Sequence, residues 1–415
     1  MTIVSPTETI VFGHPAIHSG REEASCSAVA PGTLPAYAVA RLRELLRMNP
    51  RALFLASCLA AAAVTPLGCL GPTHPTPGRI DSLFSDYTRP GSPGCALAVV
   101  RDGRIVYAKG YGAADLATGA PITPRTVFEI ASISKQFTAA SILLLAQEGK
   151  LALDDDVRKY VPQLPDYGAP VTLRQLLHHT GGVRDYEDLL HTAGFKLEDV
   201  TSDDDAVALL AKEKTLEFPP GTQYKYSDSG YLLLSQVVRR VSGRPLREFA
   251  RQRIFLPLGM RDTQILDDPR QAIPGRAASY AARPGGGWAP VRANWMQTGD
   301  GGVQTTVEDL AKWDRNFDHP NPRVGGRALI QGLLTPGTLN DGTKLAYACG
   351  LVVDKLWGLR RVSHSGEWEG YRGDYARFPD RKLAVITLCN AADADAKGLA
   401  RKVASVFLGW RLPWV

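Results

Sequence analysis

The stretch that decides the fold reads SISKQFTAASILLLAQEG, from Ser132 to Gly149. Its apolar residues and the closing glycine, which commonly follows a helix C-terminus, predict a largely buried helix over residues 134–148. Because positions i and i+3 of a helix share a face, we expect Ser132 and Lys135 to meet at the start of this helix.

A serine and a lysine in this arrangement have a recognisable chemistry. A serine hydroxyl is a poor nucleophile until a neighbour takes its proton. A desolvated lysine can titrate low enough to do so, and the helix N-terminus adds positive potential at the alkoxide. A Ser-x-x-Lys spacing also arises by chance about once in a chain of this length, so a solvent-facing pair is the alternative.

Two further motifs lie downstream. Tyr226 lies within PGTQYKYSDSGY, residues 220–231, just before a predicted helix, and a phenol beside an ammonium can lose its proton and act as a base. Taken alone, such a residue is more often a loop tyrosine than a catalytic base. His364, Ser365 and Gly366 lie between strand-like stretches and are followed by Glu367, and small residues there let a substrate lie against a strand edge.

Strand-like segments occur at both ends of the chain. Residues 96–100 and 105–108 flank Asp102-Gly103 and predict a hairpin. Helical patterns occupy the middle and the C-terminus, at residues 172–178, 202–212, 230–241, 306–317 and 396–407. More strand-like runs cover residues 347–353, 370–378 and 383–388. We therefore predict an α+β fold: an antiparallel sheet built from N- and C-terminal strands and flanked by helices, plus a mostly helical lobe across a cleft.

Composition and absent motifs exclude several classes of protein. The net charge of +6 is scattered without a Lys/Arg block, so we expect no nucleic-acid partner. Gly-x-Ser-x-Gly, the P-loop motif and His-Glu-x-x-His are all absent from the sequence. The adjacent His178 and His179 would point to different faces of a helix, which favours a structural role over a metal site. We expect no metal and no cofactor.

The N-terminal region predicts export. Residues 52–64 read ALFLASCLAAAAV and follow Arg51, and they are shorter than the about 20 residues that span a bilayer. Leu67-Gly68-Cys69 is similar to a lipoprotein cleavage site, so a lipid anchor on Cys69 and plain secretion both stay open. The predicted segments are an upstream extension (1–47), a signal peptide from Met48 (48–68), a Pro-rich tether (69–78) and a catalytic domain (79–415). We expect the mature chain in the periplasm or cell envelope.

Three cysteines remain after such a cleavage and lipidation. Cys95, Cys349 and Cys389 each lie in an apolar, strand-like run, without regular spacing. This pattern indicates neither a disulfide framework nor a zinc site, and we expect three buried thiols.

Together, the three motifs resemble those of the serine β-lactamase and penicillin-binding-protein family, in its class C-like branch. That branch includes class C β-lactamases, D-alanyl-D-alanine carboxypeptidases, D-aminopeptidases and esterases. Ser132 and Lys135 match its Ser-x-x-Lys box, and Tyr226 and Asp228 match its Tyr-x-Asn box. The Lys-Thr-Gly box is matched by His364, Ser365 and Gly366, and the resemblance runs from about residue 79 to about residue 408.

The resemblance implies a mechanism. Ser132 would attack a carbonyl to form an acyl-enzyme that water then hydrolyses, while Tyr226 and Lys135 shuttle the proton. The backbone N–H groups of Ser132 and Glu367 would form the oxyanion hole. The implied partner is a small-molecule or peptide substrate, an amide or ester, and the oligomeric state stays open.

Two departures from the family pattern shape the predicted substrate. Asp228 replaces an asparagine that donates a hydrogen bond, and His364 replaces a lysine that binds a carboxylate. Arg372 either supplies that missing charge or forms a surface salt bridge. We expect Asp228 and His364 to pair across the cleft, which would raise the histidine pKa. D-peptide or ester substrates are then favoured over β-lactams, and the alternatives are a true class C-type β-lactamase and a non-catalytic envelope binding protein.

Overall fold

The structure is a computed structural model that describes residues 77–409. The predicted upstream extension, the signal peptide and Cys69, with nearly all of the tether, lie outside the described residues. Within them, no helix is both long enough and apolar enough to cross a bilayer.

A six-stranded antiparallel sheet forms the centre of the described part of the chain. Its strands are β1 (Cys95–Arg101), β2 (Arg104–Tyr111), β10 (Val352–Leu356), β11 (Leu359–Trp368), β12 (Tyr371–Phe378) and β13 (Leu383–Cys389). Across the sheet they lie in the order β10-β11-β12-β13-β1-β2. The pairing of β1 with β13 joins the two ends of the domain. The predicted α+β fold, with its sheet built from both termini, is therefore confirmed.

Smaller elements and the helices complete the described fold. The short strands are β3 (Ala113–Asp115), β4 (Ala120–Pro121), β5 (Phe128–Glu129), β6 (Gln264–Ile265), β7 (Ser279–Ala282), β8 (Trp288–Val291) and β9 (Val303–Thr305). The helices are α1 (Pro77–Leu83), α2 (Lys135–Gln147), α3 (Leu173–Leu177), α4 (Tyr186–Thr192), α5 (Asp203–Leu210), α6 (Asp228–Ser242), α7 (Leu246–Ala250), α8 (Leu256–Leu258), α9 (Val307–Asp318), α10 (Gly326–Leu333) and α11 (Ala396–Phe407).

The central sheet is buried on both faces, as alternation along β1 shows. Ala96 and Ala98 belong to the core shared with the helical lobe, whereas Leu97 and Val99 belong to the core under α1 and α11. Successive strand residues point to opposite faces, so one strand supplies both cores. The predicted helix after Ser132 is α2, and every residue from Lys135 to Leu145 in it is buried. This helix carries Lys135 into the interior of the protein.

The structure corrects the prediction for two cysteines. Cys95 and Cys389 lie directly opposite each other on β1 and β13 and form a disulfide, so the expectation of three unpaired thiols is wrong. Their separation of 294 residues hid the pairing, because only the sheet order makes the two strands neighbours. Cys349 is buried and free, as expected.

Candidate active site

Ser132 lies on a tight turn that the small sheet holds in place. The turn spans Ala131–Ser134 and leads directly into α2. Before it, the Ile130 N–H donates to the Val303 carbonyl at 3.0 Å, and the Val303 N–H donates to Ser134 Oγ at 3.2 Å. Ala131 has a φ of 46°, a left-handed conformation that costs a non-glycine residue about 1–3 kcal/mol. Strain of this kind next to a partly exposed serine is typical of a functional site.

Lys135 connects Ser132 to the rest of the site. Its side chain is fully buried, and Nζ donates to Ser132 Oγ at 2.9 Å and to Asp228 Oδ1 at 2.5 Å. The third donor reaches the backbone carbonyl of Asp300 at 3.0 Å. An ammonium has three donors, and all three are used here. The Ser132 hydroxyl therefore accepts a hydrogen bond from a cation in this arrangement.

The expectation that Lys135 titrates at low pH is wrong for this arrangement. Burial lowers its pKa, but the charges of Asp228, Tyr226 and Asp300 outweigh burial and raise the pKa above its ordinary value. The cause is the carboxylate of Asp228, in the position where the family has a neutral asparagine. Lys135 must lose a proton before it can accept the one from Ser132.

Tyr226 lies beside this pair. It precedes α6 by two residues, its ring centroid is 5.0 Å from Lys135 Nζ, and the His179 ring packs against it at 4.3 Å. Desolvation by the surrounding protein raises the pKa of Tyr226 to about 12 even though 37% of its surface is exposed, while the Lys135 charge acts to lower it. The expected loss of its proton beside the ammonium is thus opposed by desolvation.

Asp185 positions two of the carboxylates in the site. It is the N-cap of α4, where its Oδ1 accepts the Glu187 N–H at 3.0 Å. Its Oδ2 accepts the Asp228 N–H, the first residue of α6, at 2.7 Å. One side chain therefore fastens the starts of two helices together, and it fixes the relative position of Glu187 and Asp228.

The third motif lies on β11, which borders the turn of Ser132. A Cβ on Gly366 would lie 2.1 Å from the Ile130 carbonyl oxygen, so only glycine allows this approach. Strand β10 pairs with β11 only from Leu359 to Ser363, so within the described residues the part of β11 from His364 onward has no paired strand on that side. Ser132 and Glu367 line one cavity, an arrangement compatible with the predicted oxyanion hole, which stays a prediction.

His364 does not pair with Asp228, and this expectation is wrong. Its Nδ1 is 2.6 Å from the Ser365 carbonyl oxygen, and its Nε2 is 3.1 Å from the Tyr347 hydroxyl. A carbonyl can only accept, so Nδ1 donates to Ser365, whereas the Tyr347 hydroxyl can either donate to Nε2 or accept from it, and both contacts are compatible with a neutral ring. Burial, with the Lys135 charge, lowers the His364 pKa to about 4. His364 therefore carries no charge at neutral pH.

Arg372 does not supply the missing charge either. Its guanidinium donates to the carbonyls of Glu369 and Tyr371, both at 2.8 Å, and lies 3.8 Å from the Glu367 carboxylate. It is not among the residues that line the cavity beside Ser132, so the salt-bridge alternative describes it.

His178 and His179 bind backbone groups. His178 Nδ1 is 2.9 Å from the Arg174 carbonyl oxygen, and His179 Nδ1 accepts the Ser227 N–H at 3.3 Å. These contacts fit the structural interpretation of the histidine pair. They also hold the segment that carries Tyr226.

The cavity beside Ser132 has a volume of about 90 Å³ and opens to solvent. The sequence analysis did not identify several residues that line it. The missed lining residues are Glu129, Tyr186, Glu187, Trp295, Gln297, Asp300 and Trp368. Most of them come from loops and helix starts that only the fold brings together.

Comparisons with known proteins agree with this geometry. The β-lactamase family model matches residues 80–407. A D-aminopeptidase from Gluconobacter oxydans (strain 621H) is 32% identical over 313 residues, which cover 75% of this chain and 58% of that protein. A D-aminopeptidase from Brucella canis is 32% identical over 319 residues, 76% of this chain and 60% of that protein. The chain thus spans about three fifths of the length of these curated relatives.

The fold also matches solved structures. The octameric penicillin-binding protein homologue from Pyrococcus abyssi superimposes with a TM-score of 0.72 at 28% identity. The match covers 80% of this chain and 78% of that one.

Proposed function

The chain belongs to the β-lactamase family, and we propose that it is a serine hydrolase that cleaves amides through an acyl-enzyme on Ser132. The observation that carries the proposal is the hydrogen bond from the buried Lys135 to Ser132, at the wall of a cavity that opens to solvent. The D-aminopeptidase relatives support an amide substrate with a D-amino acid at its N-terminus. A non-catalytic binding protein has no need of a buried lysine bound to a serine on a strained turn.

The proton path follows from the charges at the site. Ser132 Oγ bonds to the carbonyl carbon, the carbonyl electrons move to its oxygen, and the hydroxyl proton passes to the Tyr226–Lys135 pair. Because both members are protonated at rest, the reactive form is the one with one proton fewer on the pair. The carbonyl then re-forms as the C–N bond breaks, the same pair gives its proton to the leaving amine, and water hydrolyses the resulting acyl-enzyme in a second step.

The charges also select the substrate. His364 is neutral, Arg372 is engaged elsewhere, and Asp228 adds a carboxylate next to Ser132. An anionic β-lactam loses the usual cationic partner for its carboxylate, and Asp228 offers an acceptor where the family has a hydrogen-bond donor. Uncharged or cationic amides and esters do not need that cationic partner. This supports an aminopeptidase-like or amidase-like activity over a true β-lactamase.

A substrate comparison tests the proposal. We expect kcat/KM for D-phenylalanine p-nitroanilide to exceed that for nitrocefin at pH 7, by about tenfold or more for a charge–charge difference of this kind. Intact mass spectrometry should show an acyl-enzyme with a poor amide or ester substrate. Hydrolysis of nitrocefin as the most efficient reaction would indicate a true β-lactamase, and no covalent adduct with any substrate or phosphonate would indicate a binding protein.

We also propose that the protein is exported to the periplasm or cell envelope. The apolar run at residues 52–64 supports this, and so does the Cys95–Cys389 disulfide, since disulfides persist mainly in oxidising compartments. We expect fractionation and N-terminal mass spectrometry to find a processed chain beginning at or near Cys69. An intact N-terminus in a cytosolic fraction would contradict the proposal.

A further inference from the structure

Five of the thirteen residues that line the cavity beside Ser132 are acidic. Three of them have a cation of their own: Glu129 pairs with Arg276 at 3.0 Å, Asp228 with Lys135 at 2.5 Å, and Glu367 lies 3.8 Å from Arg372. The local charge of these three is therefore largely compensated before any substrate arrives.

Glu187 and Asp300 differ from these three. Among residues 77–409, no Lys, Arg or His side chain forms an ion pair with either of them. Together with Asp228 they place one carboxylate oxygen each within 4.8 Å of one another. Carboxylates this close need a cation or a proton between them, because ionised neighbours repel.

Asp300 shows that the cluster lacks a partner. The residue is 6% exposed, and its Oδ2 accepts the Tyr186 hydroxyl at 2.9 Å. Its Oδ1 is buried and has no hydrogen-bond partner. A buried carboxylate oxygen without a donor is costly, so this atom marks a place where a donor from outside the chain would be stabilised. Burial and the neighbouring carboxylates also raise the pKa of Glu187 to about 9 and of Asp300 to about 7.

We propose that Glu187 and Asp300 form the subsite for the free α-ammonium of an amino-acid amide or peptide whose carbonyl reacts with Ser132. The inference rests on the proposed function, which it deepens by naming the group that selects the substrate. Trp295 and Trp368, whose ring centroids are 6.3 Å apart, add apolar surface for the side chain of that amino acid.

The short distance between the α-nitrogen and the carbonyl carbon of such a substrate fits the short distance between Ser132 and the carboxylates. An α-nitrogen lies about 2.5 Å from its own carbonyl carbon, given the standard backbone bond lengths and angle. A reacting carbon lies about 3 Å from the attacking oxygen. In the protein, Lys135 Nζ lies 2.9 Å from Ser132 Oγ and 2.5 Å from Asp228 Oδ1. One atom therefore bridges the serine and the nearest carboxylate of the cluster. An ammonium next to the reacting carbonyl can therefore contact the carboxylates.

A divalent metal ion fits the cluster less well than an ammonium. The Lys135 ammonium already lies 2.5 Å from Asp228 Oδ1, and its charge would repel a dication bound to the same carboxylate. An ammonium carries a single charge and directional donors, of the kind that the free Oδ1 of Asp300 lacks.

Two substrates and one isosteric variant test the inference. For Glu187→Gln, we expect kcat/KM for D-phenylalanine p-nitroanilide to fall about ten- to a hundredfold, the scale of a hydrogen bond to a charged group. For the N-acetylated p-nitroanilide, which has no ammonium, we expect a change of less than about threefold, since the lost contact is absent. Asp188→Asn, on an exposed neighbour in α4, is the matched control and should affect neither substrate.

Calorimetry separates binding from turnover. We expect Ser132→Ala to bind D-phenylalanine amide but not its N-acetyl derivative, and we expect the added Glu187→Gln change to remove that binding. Equal losses on both substrates, or binding of both amides alike, would overturn the ammonium subsite while leaving acylation of Ser132 intact. Binding of Mn²⁺ or Ca²⁺ that requires Glu187, with activity lost in EDTA, would assign the cluster to a metal instead. Failure of the proposed function is recognised separately, because Ser132 would then form no adduct with either substrate.

Discussion

Ser132→Ala is expected to abolish acylation and to lower kcat/KM for the best amide substrate by on the order of 10⁴-fold or more, the usual effect of removing a nucleophile. We expect this effect because Ser132 Oγ accepts a hydrogen bond from the buried Lys135 ammonium and Ser132 lines the cavity. Intact mass spectrometry after incubation with a fluorescent phosphonate measures the adduct directly, and steady-state kinetics measures turnover.

A neighbouring serine provides the matched control for this prediction. Ser134 lies on the same turn, is 1% exposed, and uses its Oγ to accept the Val303 N–H. Ser134→Ala is expected to lower stability by about 1 kcal/mol, the cost of a lost hydrogen bond, but to keep the covalent label. A Ser132→Ala protein that is folded and still labelled at wild-type rate would show that another residue is the nucleophile.

Local patterns in the sequence were sufficient to predict the fold. The hairpin around Asp102-Gly103 and the apolar α2 depend on neighbours within a few residues, and both are present in the structure. Strand β11 was harder to recognise, because its buried positions include Arg361, Ser363 and His364 and hide the apolar alternation. The disulfide was missed for another reason, since Cys95 and Cys389 meet only after the sheet has formed.

The sequence predicted which residues lie together in the site, but it did not predict which charged groups pair with each other. The motifs brought Ser132, Lys135 and Asp228 together, as the hydrogen bonds of Lys135 show. Which cation Asp228 would meet depended on the fold: it contacts Lys135, whereas His364 is turned to Tyr347. No motif indicated Glu187, because its position follows from the helix cap at Asp185.

Lys135→Ala is expected to lower the acylation rate by about 10²- to 10⁴-fold, the range for loss of a proton-transfer group. It removes the donor to Ser132 and leaves the Asp228 carboxylate without its counter-ion, so a loss of stability is also expected. Thermal unfolding should therefore be measured beside the kinetics. Lys225→Ala is the control, because Lys225 is 55% exposed, adjoins Tyr226 and pairs with Glu217 rather than with the site.

The protonation state of Lys135 allows a second test of this prediction, through the pH dependence of the acylation rate. Asp228 raises the pKa of Lys135, so the reactive form of the Tyr226–Lys135 pair, with one proton fewer, becomes more populated as the pH rises. The acylation rate should increase with pH in the wild type. Asp228→Asn removes the charge that holds the proton on Lys135, so the rise should move to lower pH even if the maximal rate changes little. A pH profile that is identical in wild type and Asp228→Asn would mean that Lys135 does not exchange a proton during acylation, and the mechanism would have to rely on Tyr226 alone.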